Sequence, residues 1–335
     1  MATKSCSRRR RAMKRKILIT GAAGFLGSNL VGALLGRGYE VIGIDNFSYG
    51  SRENIEPFLK SSSFRLIEGD VLDSRLLQRA AEGVDTIFHF ASYKIPRYGS
   101  ALKTLEVNSK GTEQCLEAAR KAQCRLIYAS TEDVYGKTAE PLCSEASALV
   151  IGETQVSRWS DAVSKIYSEH LCYAYQERYG VPISIIRYFD VYGPNHRRDW
   201  WGGAPAVFIE NALQDEPLPI HGDGAQMRSF IYVSDAIDGT VSVLENEYAI
   251  GEVVNIGSTV EISIINLAYL IWRLTGNRSK PKLEFVPYTD LAKSYEDVRR
   301  RLPDISKARY LLGFEPKVGL EEGLRRTIEW QRKQR

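Results

Sequence analysis

Several residues in this chain have the types and spacing that chemistry needs. Gly21, Gly24 and Gly27 stand three apart after the apolar run Lys16-Ile-Leu-Ile19 and lead into Ser28-Asn-Leu-Val-Gly-Ala-Leu-Leu35. In a strand–turn–helix, the first glycine permits the tight turn and the second lets backbone N–H groups approach a pyrophosphate. The third lets the helix pack closely on the strand, with its N-terminus facing the anion. Asp45 ends the next apolar run, Glu40-Val-Ile-Gly-Ile-Asp45, 18 residues beyond Gly27. That spacing suits a carboxylate accepting from the adenosine ribose 2′-OH, and a carboxylate there would repel a 2′-phosphate, so NAD is expected rather than NADP. Asp45 also reads as a plain turn residue before Asn46.

Asp161 and Lys165 are four apart in a helical stretch and share one face. They read either as a poised pair or as a surface ion pair worth about 0.3 to 0.5 kcal/mol. The neighbouring ammonium is expected to hold the Asp161 carboxyl ionised and lower its pKa. Glu132 and Asp133 follow an apolar run; in extended backbone their side chains point oppositely, so one of them faces the cleft. A partly desolvated carboxyl with a raised pKa there would donate or accept a proton, whereas a solvated acidic turn would do neither. Arg228, with its planar fork, and the triple Arg299-Arg-Arg301 are candidate phosphate or sugar contacts, the triple reading equally as a solvated basic cluster.

These groups need elements to hold them. Strand patterns fall at 16–20, 39–45, 63–68, 84–90, 124–129 and 182–188, and helical patterns near 24–36, 73–82, 100–121 and 160–179. This βαβ rhythm predicts an α/β fold, a Rossmann-type doubly wound parallel sheet. After residue 188, Gly193-Pro194, Trp200-Trp-Gly-Gly203 and Gly222-Asp-Gly224 mark irregular structure suited to a smaller, mixed substrate lobe. The expected division is a cofactor domain of 14–187 plus about 229–256 and a sugar-binding lobe of 188–228 plus 257–335. Residues 1–13 are expected to be a disordered extension.

Composition is that of a globular protein, 44% hydrophobic and 26% charged over 335 residues. The net charge of +4 misleads, because eight Lys or Arg and no acid lie within residues 1–16. The remainder carries 37 basic against 41 acidic residues, a net of −4. The basic arm has no aromatic or groove-reading element beside it, so no nucleic-acid partner is expected. No apolar run is long enough to cross a bilayer and no secretory leader is evident, so a cytoplasmic location is expected. The five cysteines form no Cys-x-x-Cys pair and read as reduced thiols, with no metal site expected.

Read together, these segments resemble the extended short-chain dehydrogenase/reductases, specifically the NAD-dependent epimerase/dehydratase family acting on nucleotide-sugars. The similarity runs from residue 14 to about 332. It rests on the ordered set Thr20-Gly-Ala-Ala-Gly-Phe-Leu-Gly27, Asp45-Asn-Phe-Ser48, Gly69-Asp70-Val71, Phe88-His-Phe-Ala-Ser92, Val107-Asn108, Ala129-Ser-Thr131 with Val134-Tyr-Gly136, Val163-Ser-Lys165, Arg187 to Pro194, and Arg228 to Asp235. The resemblance implies NAD contacts from Gly21, Gly24, Phe25, Leu26, Gly27, Asp45, Asn46, Asp70 (at the adenine), Val71, Phe90, Ala91, Asn108 and Lys165, the last at the nicotinamide ribose. It gives Ser130 and Thr131 the sugar hydroxyl being oxidised, Arg228 the diphosphate, and Arg300 or Arg301 a further phosphate or sugar contact.

Two positions depart from the family pattern. Asp161 stands where the family has the tyrosine of a Tyr-x-x-x-Lys pair, and Asp190 stands where asparagine is usual near the substrate phosphates. His196, Arg197 and Arg198 are expected to compensate Asp190. Dehydratases of the family carry an acidic pair where Glu132 and Asp133 stand, and decarboxylases a single glutamate. Loop lengths resemble the UDP-glucose 4-epimerase-like members most. The implied activity is epimerisation of a nucleotide-sugar, a UDP-sugar first, by a homodimer formed through the helices near 100–121 and 160–179. Decarboxylation of a nucleotide-hexuronate and 4,6-dehydration are the rivals, and binding without turnover is the outcome if Asp161 cannot serve as base.

Overall fold

The computed structural model describes residues 15–94, 99–291 and 296–335. The N-terminal extension expected over residues 1–13 lies outside them. The chain begins β1 (Lys16–Thr20), α1 (Phe25–Gly36), β2 (Glu40–Asp45), β3 (Phe64–Glu68), α2 (Ser74–Ala81), β4 (Thr86–His89), α3 (Ala101–Ala122), β5 (Arg125–Thr131), α4 (Trp159–Tyr179) and β6 (Ile183–Tyr188). It continues through β7 (Val191–Tyr192), α5 (Gly203–Leu213), β8 (Leu218–His221), β9 (Met227–Ser229), β10 (Ile231–Tyr232), α6 (Val233–Glu245) and β11 (Val253–Ile256). β12 (Glu261–Ser263), α7 (Ile264–Leu274), β13 (Leu283–Val286), α8 (Tyr288–Leu291), α9 (Ser306–Leu312) and α10 (Leu320–Lys333) complete it.

Seven strands form one parallel sheet in the order β11-β6-β5-β4-β1-β2-β3. Both faces are covered, which is why β1 and β6 read as almost unbroken apolar runs and are buried nearly throughout. One face packs Leu77, Leu116 and Cys172 of α2, α3 and α4. The other packs Leu30 and Leu34 of α1 with Ile237 and Val241 of α6, and this core runs on into Phe208, Leu267, Ile271 and Trp272 of the C-terminal elements. Two short pairings, β8 with β13 and β9 with β12, frame that second lobe.

The helix ends are set locally. Asp73 accepts from the amides of Arg75 and Leu76 to start α2, and Ser100 accepts from Lys103 to start α3. Gly180, at φ 69°, ends α4 in the left-handed conformation that glycine takes without strain. Strand order reverses between β1 and β4, and the crevice beyond their carboxyl ends is where such a sheet receives a ligand.

Candidate active site

Beyond the sheet's carboxyl edge lies a cleft of about 680 Å³, with a smaller cavity of about 170 Å³ continuing beside β2 and β4. Gly21, Gly24, Phe25, Leu26 and Gly27 line it. Gly21 turns at φ +72°, and a Cβ on Gly27 would lie 2.0 Å from the Gly21 carbonyl oxygen, so neither position accepts a side chain without moving the turn. No side chain caps α1, which leaves its N-terminal end facing the cleft. Asp45 is buried and accepts from the amides of Ala23 and Phe47, both at 2.8 Å. Asn46 donates to Asp70 at 2.8 Å, and Val71, Phe90 and Ala91 close the smaller cavity. A dinucleotide fits this lining: a phosphate cradle of glycines, a carboxylate for the ribose and an apolar slot for the base.

Three rings stand at the junction of the two cavities. Tyr49, which faces both, packs on Trp201 with ring centres 4.4 Å apart, and Tyr93 meets each of them edge-on. They join the loop after β2 to the loop before α5. Nothing in the sequence marked Tyr49 or Trp201, because their pairing spans about half the chain.

Asp161 and Lys165 lie on the first turns of α4, both buried and both facing the cleft. They do not form the surface pair that spacing allowed: Lys165 Nζ donates to the Ala129 carbonyl at 2.8 Å, and Asp161 Oδ1 accepts from Asn108 Nδ2 at 3.2 Å. The expected direction of the Asp161 pKa is also reversed. Burial raises it to about 6, and Lys165 only partly offsets this, while Asp133 adds to it. Desolvation wins because the carboxyl is almost wholly removed from water, which spacing on a helix cannot reveal. Burial likewise lowers the pKa of Lys165, opposed by Asp161.

Asn108 does not line the cleft. Its amide exchanges two hydrogen bonds with the Tyr93 backbone and donates to Ser164, so it anchors the loop and α4 rather than touching a cofactor. Ser130 and Thr131 both reach the cleft, with different freedom. Ser130 donates to Glu169 at 2.5 Å, and Glu169 is held by Arg187 at 2.6 Å in a buried ion pair beneath the floor. Thr131 accepts from the Asp133 amide, which leaves its O–H to donate outward. Arg187, a lone charge in the strand Ile183-Ser-Ile-Ile-Arg-Tyr188, was the one signal in the sequence that such a buried pair existed.

The arginine triple resolves by register. Arg301 enters the cleft and contacts Asp133 at 2.5 Å and Glu132 at 3.2 Å. Arg300 points away, paired with Glu261 at 2.6 Å and with the Pro141 carbonyl, because consecutive residues of an extended segment alternate sides. Arg228 is paired with Asp297 at 2.9 Å, and Arg158 with Asp133 at 3.3 Å and Asp297 at 3.4 Å. Neither Arg158 nor Asp297 was expected from the sequence.

Glu132 and Asp133 have opposite fates. Burial pushes Glu132 well above the usual carboxylate range; Arg301 opposes this, but Asp190 and Asp133 reinforce it. Burial acts the same way on Asp133, but there Arg301 and Arg158 overcome it and hold the carboxyl well below its ordinary value. Asp190 is raised by burial too, opposed by Arg228 and Arg301 and with the Glu132 carboxyl beside it. Arg228 and Arg301, not the three residues expected to do so, compensate Asp190. His196 stacks on Phe25 at 3.9 Å, Arg197 pairs with Asp199, and Arg198 lies 3.9 Å from Glu210. Among the described residues, no cluster that could hold a metal ion is present and no helix is long and apolar enough to cross a membrane.

Comparison with known proteins agrees with this geometry. The GDP-mannose 4,6 dehydratase family description matches residues 18–327. A UDP-N-acetyl-alpha-D-glucosaminuronate decarboxylase from Bacillus cytotoxicus is 37% identical over 96% of this chain and 98% of its own length. The structure of a UDP-glucuronic acid 4-epimerase from Bacillus cereus with UDP-glucuronic acid and NAD superposes with a TM-score of 0.84 at 34% identity, covering 96% of this chain and 100% of that one. A dTDP-glucose 4,6-dehydratase from Streptomyces venezuelae with NAD bound gives 0.85 at 30% identity, covering 95% and 97%. The chain belongs to the extended short-chain dehydrogenase/reductases, within the NAD-dependent epimerase/dehydratase family of nucleotide-sugar enzymes.

Proposed function

We propose that this protein epimerises a nucleotide-activated hexose, a UDP-hexose first, by oxidising one ring hydroxyl to a transient ketone and reducing it from the opposite face. The observation that supports this reading best is the Asp161 carboxyl, buried in the cleft with its pKa near 6. A base titrating there is ionised at neutral pH yet basic enough to take a hydroxyl proton as hydride leaves the carbon. It replaces a phenolate in function without its reach. NAD, when bound, supplies the hydride acceptor and donor.

The chain's own groups do the rest. The Gly21–Gly27 turn holds the pyrophosphate, Asp45 the adenosine ribose and Asp70 the adenine edge. Lys165 steadies the ribose on the nicotinamide side and, as an ammonium beside Asp161, favours the ionised base. Thr131 donates to the sugar oxygen, and Arg228 exchanges Asp297 for the diphosphate. Exposed apolar residues on α3 and α4, Leu102 and Leu105 with Val163 and Tyr167, support a homodimer built on these two helices.

A second reading, 4,6-dehydration, draws on the separation of Glu132 from Asp133. Two neighbouring carboxyls whose environments push their pKa values apart provide an acid and a base. To distinguish these readings, the purified protein is denatured to release and identify its nucleotide, then incubated with UDP-, GDP- and dTDP-hexoses and the products analysed by mass and NMR. An isobaric, inverted sugar supports epimerisation, loss of one water supports dehydration, and no turnover of any sugar overturns both.

A further inference from the structure

Glu169 is a buried acid that the reaction described above leaves without a task. It is 6% exposed, does not line the cleft, and lies on α4 one turn beyond Lys165, as Asp161 lies one turn before it. Residues four apart share a helix face, so the lysine has a carboxyl on either side. Lys165 and Glu169 also hold consecutive residues of β5. Lys165 Nζ donates to the Ala129 carbonyl at 2.8 Å, and Glu169 Oε1 accepts from Ser130 Oγ at 2.5 Å. Arg187, the partner of Ser130 across the sheet, grips the same carboxylate with Nε at 3.0 Å and Nη2 at 2.6 Å. Burial disfavours the Lys165 ammonium; Asp161 restores it most, Glu169 next, and Lys94 opposes it. Cys172 of α4 and His89 of β4 are the other titratable groups that sense this ammonium, and the Tyr128 ring of β5 lies 5.0 Å from Nζ. Asp161 ceases to balance Lys165 when it takes the substrate proton. A lysine sustained by Asp161 alone would be weakest as an ammonium just when the ketone is present.

We propose that Glu169 is a positioning residue acting through Lys165: its carboxylate, gripped by Arg187 and away from the cleft, keeps the lysine an ammonium while Asp161 carries the substrate proton. The inference rests on Asp161 as the base of the epimerisation proposed above. It also gives Ser130 a different task from Thr131. Ser130 ties the end of β5 to Glu169, and Thr131 alone turns its O–H outward.

NMR titration of the full chain, labelled with ¹³C at the lysine ε carbons, tests it, the Lys165 signal being the one lost in Lys165→Arg. In Glu169→Gln the Lys165 midpoint is expected to fall by about one pH unit or more, and Glu169→Asp, which keeps the charge, is expected to recover most of that fall. Asp161→Asn imitates the protonated base, and there Lys165 is expected to remain charged at neutral pH. An unchanged midpoint in Glu169→Gln, or a neutral Lys165 at neutral pH in Asp161→Asn, overturns the inference. The Asp161→Asn result decides the matter even if Glu169→Gln does not fold. In turnover, the alkaline limb of the pH–rate profile is expected at lower pH in Glu169→Gln. A rate reduced equally at every pH overturns the inference in favour of a merely structural role. No turnover of any sugar, with the lysine midpoints shifted as expected, overturns the function proposed above and not the coupling of Glu169 to Lys165.

Discussion

Asn108 Nδ2 donates to Asp161 Oδ1 at 3.2 Å while the same side chain clasps the Tyr93 backbone from both sides. The group proposed to take the substrate proton is thus tied to the loop that borders the cofactor cavity. Changing Asn108 to aspartate sets a second carboxyl against Asp161 in a buried place. The acidic limb of the pH–rate profile, set in the wild type near pH 6, is expected to move to higher pH. A profile that stays in place while overall rate falls would show that Asn108 only anchors the loop.

Asp161→Asn separates activity from stability. Turnover is expected to fall by about 10²- to 10⁴-fold with little change in KM, since the amide still fills the space but accepts no proton. Stability should move the other way. The folded pKa, about 6, lies above that of the unfolded chain, so the native state binds the proton more tightly. Stability from this group is therefore present at low pH and lost as pH rises from the ordinary carboxylate range through 6. The amide escapes that penalty. Above pH 7 the variant should be more stable by up to about 3 kcal/mol, a gain that shrinks toward pH 4, as read from Tm across that range.

The adjacent arginines 300 and 301 offer a paired test. Arg301→Gln leaves Glu132 and Asp133 without their shared cation in a buried setting and should cost about 3 to 5 kcal/mol in denaturant unfolding, together with substrate affinity. Arg300→Gln removes a partly exposed pair with Glu261 and should cost about 1 kcal/mol or less, with kcat and KM unchanged. Equal effects would mean that the register assigned to this segment is wrong.

If α3 and α4 form the subunit contact, sedimentation should give a dimer at micromolar concentration. Val163→Asp combined with Tyr167→Asp, both on the exposed face of α4, should give a monomer that retains its far-UV circular dichroism. A monomeric wild type would remove the dimer from the proposal.

Much of this molecule is legible in its sequence. The six strands and four helices expected in the first half all occur within about two residues of their expected ends, because both-sided burial and glycine punctuation leave strong local signals. The seventh strand, Val253–Ile256, is not legible, because four residues show too little periodicity. In the site, the glycine turn and Asp45 were legible because neighbours in sequence build them. The Arg158–Asp133–Asp297 linkage, the Glu132–Asp190 contact and the elevated Asp161 were not, since each depends on burial between segments far apart in the chain. Charge type is written in the sequence, whereas its removal from water is decided by the fold.

The packing of Tyr49 against Trp201 sets two rings at the junction of the two cavities, and in the proposed binding mode a dinucleotide spans that junction beside them. A reaction that consumed oxidising equivalents would have to exchange spent coenzyme for fresh after every cycle, and would draw on those rings' freedom to separate. A reaction that hands its electrons back to the same sugar never asks them to part.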